Sequence, residues 1–201
     1  MDRAPAIEIT LGLILARYFA SSSVAEADMS NDPGFDHGVD PGVDPITMPS
    51  IDPSAQLNAF LATIRQFESN NRYNVIYGGQ TFSDFSDHPR IAVEFYNPRL
   101  TGPNGVPNDY TTAAGAYQFI APTWDAQAAR LGLTDFSPAS QDAAAVELLR
   151  RLEIPALLAL EDVQGAFRRA SGTWASLPGS TAGQGARSIV AALAAYESHL
   201  M

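Results

Sequence analysis

The chain has 201 residues, of which 46% are hydrophobic and 17% charged, with a net charge of −10 and no cysteine. This is the composition of a folded domain with some extra length, and it excludes a wholly disordered protein. It also excludes a disulfide framework and thiolate chemistry. The histidines His37, His88 and His199 are scattered and form no HExxH zinc motif, so no metal and no other cofactor is expected.

The charge is unevenly spread. Residues 1–54 carry nine acids against Arg3 and Arg17, whereas the following 147 residues carry thirteen acids and ten arginines. No basic stripe marks a nucleic-acid partner. A mildly acidic domain gains no long-range attraction to an anionic wall, so a polymer of that kind has to be held by groove contacts.

Residues 7–20 (IEITLGLILARYFA) form the first apolar run, interrupted by Glu8 and Arg17. Its unbroken part, Leu11–Ala16, falls far short of the roughly 20 residues that span a bilayer. Ala25 and Ala27 in SSSVAEA fit the A-x-A pattern of a signal-peptidase site. Two readings of residues 1–29 stand side by side. One is a signal or anchor-like segment, with membrane contact through residues 7–20; the other is a short helix or an upstream tail. From Asp32 the chain reads DPGF, DHGV, DPGV, DPIT, turn-forming pairs without apolar periodicity, and residues 30–53 are expected to be a solvated linker. The ligand pattern of an EF-hand loop is missing there.

Asp52-Pro53 is a helix start, with Asp at N-cap and Pro at the first helical position. The segment PSAQLNAFLATIRQFES then places Leu57, Leu61, Ile64 and Glu68 on one stripe, flanked by Phe60 and Phe67. Glu68 therefore stands in line with the buried face at the end of an amphipathic helix. A carboxyl group so placed is desolvated, keeps its proton to higher pH and can act as a general acid. The other reading is a glutamate that simply surfaces where the helix ends, near Asn70 and Asn71.

Next, Asn74–Tyr77 and Gln80–Ser83 flank Gly78-Gly79 and predict a β-hairpin with a tight two-residue primed turn. Asp84 and Asp87 follow. A second carboxylate across a cleft and local turn chemistry are the two readings of Asp84, and turn chemistry is preferred for Asp87. Residues Asn97–Thr112 are expected to be a long loop, followed by a close-approach glycine in AAGAYQF and a helix from Pro122. Further helices are expected over Pro138–Arg151, around Asp162–Ala170 and around Gly185–His199. Trp124 and Trp174 read as packing residues. The fold class is α+β and mainly helical, with residues 54–201 as the folded domain.

From about Leu57 to Gln184 the chain resembles the lambda-phage lysozyme family. The pieces that carry the resemblance are the helix ending in Glu68-Ser69, NVIYGGQTFSDFSDHPR, GAYQF with Trp124-Asp125, LGLTDFSPASQDAAAVELL and TWASLPG, in this order. The resemblance implies a lysozyme-like fold, with a small β-hairpin lobe and a helical lobe on either side of a cleft. It implies that Glu68 is the catalytic acid. It also implies a lytic transglycosylase that cleaves the β-1,4 bond between N-acetylmuramic acid and N-acetylglucosamine and leaves 1,6-anhydromuramic ends.

Ser69, Asp84, Tyr117 and Gln118 are the expected substrate-binding residues. Packing is the alternative for Tyr117, and bonding to backbone is the alternative for Gln118. A hydrolytic muramidase using Asp84 or Asp87, and a wall-binding or virion structural protein without turnover, are the competing functions. The expected partner is the peptidoglycan glycan strand, bound by a monomer acting at the bacterial cell wall. Two departures from the family pattern stand out: a longer loop between Asn97 and Gly115, and Ala116 where the lambda-type pattern has an arginine.

Overall fold

The computed structural model describes residues 52–96, 108–181 and 185–201. The expectations for residues 1–29 and for the linker up to residue 51 lie outside them. Asp52 caps the first helix as its sequence predicts, its carboxylate accepting from the Ser54 N–H at 2.9 Å and the Ser54 hydroxyl at 2.8 Å. Helix α1 runs over Pro53–Ser69. Phe60 and Ile64 are fully buried, and Leu61 nearly so.

Five more helices follow among the described residues: α2 (Ala121–Leu131), α3 (Pro138–Arg151), α4 (Ile154–Ala159), α5 (Val163–Ala170) and α6 (Ile189–Leu200). Helix α3 has the bounds predicted from Ser137-Pro138, and the Ser137 side chain caps it on Ser140 N–H. Asp162 and Ser188 cap α5 and α6 in the same way. Helix α6 begins four residues later than expected, at its serine cap. Helix α4 was not anticipated. It is only 6 residues long, carries Pro155, and starts from Glu153 in the left-handed region, so periodicity had nothing to register.

Helix α1 lies at the centre of the helical lobe, packed by α6, α4 and α3. Phe60 stacks on Phe167 at 4.7 Å between ring centroids, and Tyr196 meets both rings edge-on. A second aromatic group joins this core to the smaller lobe. Trp124 and Phe136 meet edge-to-face at 4.6 Å, with Phe82, His88 and Phe119 around them. Trp124 and Trp174 are both buried, in keeping with packing roles.

The β-lobe differs from the expectation in two ways. The Gly78-Gly79 hairpin exists, with both glycines at positive φ, but Ile76 N–H donates to the Gln80 carbonyl and the loop is three residues, Tyr77–Gly79. That shifts the register by one residue, and only the Val75–Thr81 bridge is formed. The two named strands are β1 (Val93–Tyr96) and β2 (Asn108–Thr111), paired antiparallel with Val93 opposite Thr111. The expectation of a loop through Thr112 is thus corrected, since Asn108–Thr111 is strand; residues 97–107 lie outside the described part. NDYT has little apolar alternation, and β1 draws it into pairing. Phe95 on the partner strand packs against Tyr77, 5.8 Å between centroids.

At Gly115 the chain after β2 approaches helix α3 closely. Its backbone N–H donates to Val75 at 2.8 Å, and its φ is +78°. A Cβ at this position would lie 2.2 Å from Gln141 Oε1 and 2.9 Å from Phe136 Cζ. Gln141, fully buried on α3, fills that space. It accepts from Ala116 N–H at 2.8 Å and donates to the carbonyls of Phe136 (2.8 Å) and Tyr73 (3.1 Å). The close-approach glycine read from AAGAYQF has this buried amide as its neighbour. Among the described residues, no helix is long and apolar enough to cross a membrane.

Candidate active site

Glu68 is the penultimate residue of α1. The helix ends on Asn70 and Asn71, both left-handed, whose N–H groups return to Gln66 and Arg65. This cap fixes the last turn and with it the direction of the Glu68 side chain. One carboxyl oxygen, Oε1, accepts two hydrogen bonds from Ser176, 2.5 Å from the hydroxyl and 3.3 Å from the backbone N–H. Burial pushes the Glu68 carboxyl above the usual carboxylate range, and the Ser176 bonds pull it only part of the way back. The negative end of the helix dipole works in the same direction as burial.

Ser176 is held from both sides. Trp174, two residues before it, is buried and donates through its indole N–H to the Tyr117 carbonyl at 3.1 Å. The Ser176 carbonyl accepts from Arg187 N–H at 2.8 Å, and the Arg187 guanidinium lies 5.7 Å from the centre of the Phe67 ring. Ser176 and Arg187 therefore both lie against the last turn of α1. Sequence reading did not single out Ser176. Its signal was its place inside TWASLPG, since nothing local marks a serine 108 residues from its partner.

The other expected site residues occupy separate places. Ser69 is buried and donates to the Arg65 carbonyl at 3.0 Å, a bond within its own helix. Tyr117 has no exposed surface; its hydroxyl donates to Asp142 at 2.6 Å and accepts from Arg65 at 3.0 Å. Burial, reinforced by Asp142, pushes this phenol far above its ordinary value. Tyr73 donates to the same carboxylate at 2.8 Å, and burial with Asp142 pushes it up to about 12. Gln118 has positive φ and donates to the Gly115 carbonyl at 2.9 Å. Ala116 is buried, and the guanidinium of this neighbourhood is that of Arg65.

Asp84 is exposed and accepts from Ser86 N–H at 2.8 Å, an Asx turn that holds its carboxyl below the usual range. No hydrogen bond joins it to Glu68. Asp87 accepts from His88 N–H, Trp124 and Arg90; Arg90 also bridges to Asp125 at 2.6 Å, tying the β-lobe to α2. His88 is buried between the Phe119 carbonyl, which faces its Nε2, and Arg90 N–H, which faces its Nδ1. This is a structural neutral imidazole. No cluster of His, Asp or Glu among the described residues is arranged to hold a metal.

A mainly helical domain with a small antiparallel lobe and a desolvated glutamate closing its first helix defines a protein of the lysozyme-like class. The family model for endolysins matches residues 58–200, so the chain belongs to the endolysin family. It is 42% identical over 120 residues to the endolysin of Escherichia phage lambda, spanning 60% of this chain and 70% of that protein. To the endolysin of Escherichia phage P2 it is 35% identical over 125 residues, again 70% of that protein. Among solved structures it resembles bacteriophage lambda lysozyme in complex with a chitohexasaccharide, with a TM-score of 0.60 and 37% identity over 76% of this chain and 97% of that one. A second structure of lysozyme from bacteriophage lambda gives a TM-score of 0.55 at 34% identity, with 76% and 93% coverage. The match runs through α6, beyond the Gln184 limit read from sequence blocks. As a member of this family the chain is a peptidoglycan-degrading, lysozyme-like enzyme.

The raised titration of Glu68 has a consequence for stability. The native chain holds a proton that the unfolded chain releases near the ordinary glutamate value of 4.5. Stability is therefore undiminished below that value and falls as pH rises through it toward the raised one. Glu68→Gln does not titrate. Its melting temperature is expected to equal that of the parent near pH 4 and to exceed it at pH 8. A difference that does not change with pH would refute the account.

Proposed function

We propose that the enzyme is a lytic transglycosylase in which Glu68 acts alone, first as acid and then as base. The observation that supports this is the isolation of its carboxyl group. Ser176 supplies the hydrogen bonds on Oε1, and no charged side chain among the described residues accounts for its raised pKa, which follows from burial. A second carboxylate near enough to serve as nucleophile, about 5 Å away, would repel the charged form and contribute to that shift.

In this reaction protonated Glu68 donates to the oxygen between N-acetylmuramic acid and N-acetylglucosamine, and the bond from that oxygen to C1 breaks. The carboxylate so formed takes the proton of the muramic 6-hydroxyl. O6 then bonds to C1, closing the 1,6-anhydro ring and leaving Glu68 protonated again. No water is consumed. The tethered hydroxyl replaces an activated nucleophile, so one carboxyl group meets both proton-transfer demands. The substrate is the glycan strand of the bacterial cell wall, bound in the cleft that the family fold implies between the lobes.

Soluble muropeptides from purified peptidoglycan, weighed by mass spectrometry, decide the chemistry. Anhydromuramic ends that are absent with Glu68→Gln are the expected result. Reducing ends, heavier by one water, would mean hydrolysis and would overturn the proposal.

A further inference from the structure

Glu68 has two oxygens, and the protein treats them differently. Oε1 accepts both hydrogen bonds from Ser176, one from the hydroxyl and one from the main chain. The serine is not free to turn away. Trp174 Nε1 is tied to the Tyr117 carbonyl, Leu177 is fully buried, and Arg187 N–H holds the Ser176 carbonyl. An oxygen that already accepts two donors is a poor place for the acid proton.

We infer that Ser176 is a positioning residue for the reaction: by occupying Oε1 it confines the transferable proton to Oε2 and holds that oxygen toward the glycosidic bond. This rests on the reading of Glu68 as the acid–base residue. The same donors stabilise the carboxylate once the proton has left, so Ser176 serves the half of the cycle in which Glu68 must wait, charged and buried, for the 6-hydroxyl proton.

The test uses the full chain with Ser176→Ala, Ser176→Thr and Glu68→Gln. Ser176→Ala removes the hydroxyl donor and leaves the N–H bond. It is expected to lower kcat roughly tenfold or more with little change in KM, because the lost contact acts on the acid rather than on the sugar. Its alkaline limb of activity is expected to move to higher pH, since a donor to the carboxylate has been removed and the protonated form persists longer. Ser176→Thr, which restores the hydroxyl, is expected to recover both.

The Glu68 carboxyl carbon, followed by NMR in the labelled chain, should titrate at higher pH in Ser176→Ala than in the parent. This readout does not depend on turnover. An active Glu68→Gln would remove the acid–base reading while the NMR titration still tested the contact. Unchanged kcat and an unmoved alkaline limb in Ser176→Ala, or an unmoved Glu68 titration, would overturn the inference. If Ser176→Ala lowered kcat but Ser176→Thr failed to restore it and the titration stood still, the residue would be a packing element and the inference would equally fall.

Discussion

Replacing Glu68 with glutamine is expected to leave a folded protein that has lost turnover by a factor of about 10² to 10⁴, the usual contribution of a positioned acid–base group. Glutamine has nearly the shape of glutamate, and its carbonyl oxygen accepts from Ser176 as Oε1 does. The cap on Asn70 and the buried face through Phe60 and Ile64 do not involve the carboxyl group. What disappears is the proton. In the parent enzyme, activity should fall as pH rises through the raised Glu68 value, because the acid form is the one that starts the reaction. Asp84→Asn provides the contrast. Its carboxyl lies below the usual range in an exposed turn, a weak base at best. Near-parental activity and an unchanged pH profile are expected for it. Turnover assays on purified walls, with circular dichroism as the fold control, read both variants. An active Glu68→Gln, or an Asp84→Asn as inactive as Glu68→Gln, would contradict the single-glutamate mechanism.

Gly115→Ala is expected to destabilise the fold by about 3–5 kcal/mol. Three costs meet there. An alanine at φ +78° carries about 1–2 kcal/mol of backbone strain. Its Cβ collides with Gln141 and Phe136, neither of which has room to move, adding about 1–3 kcal/mol. Any shift of Gln141 breaks bonds to Ala116, Phe136 and Tyr73, and unmet buried partners cost about 1–3 kcal/mol. These terms share one displacement and do not simply add. Gly132→Ala is the control: φ is +67° there as well, but the Cβ meets nothing within 4 Å, so only the backbone cost of about 1–2 kcal/mol remains. Urea unfolding of both variants separates the terms. Equal losses would mean that the collision with Gln141 is relieved without cost.

The family standing of the chain and the geometry at Glu68 carry different parts of the functional account. The endolysin match and the lambda relatives establish a peptidoglycan-degrading, lysozyme-like enzyme. The step from degradation to an anhydro product rests on the chemistry of one largely desolvated carboxyl group whose raised titration owes nothing to a charged neighbour among the described residues. Product mass tests that step directly, and the pH and stability behaviour of Glu68→Gln tests its premise independently.

Where the chain carries its own local instructions, sequence reading and structure coincide. Asp52-Pro53 and Ser137-Pro138 open helices because a side-chain acceptor and a fixed φ act over three residues. The stripe from Leu57 to Ile64 places Glu68 at the end of a buried face because helical geometry is periodic. A glycine between small residues in AAGAYQF announces a close approach, although not what it approaches. These are short-range effects, and one sequence is enough to state them. Tertiary structure alone decided the rest. NDYT became a strand only because VEFY lies beside it, and the hairpin register shifted by one residue when Ile76 paired with Gln80. Tyr117 went to Asp142 and Arg65. Above all, Ser176 met Glu68 across 108 residues. Pairings of this kind are settled by which surfaces bury one another after the helices form, and no window of neighbouring residues contains that information.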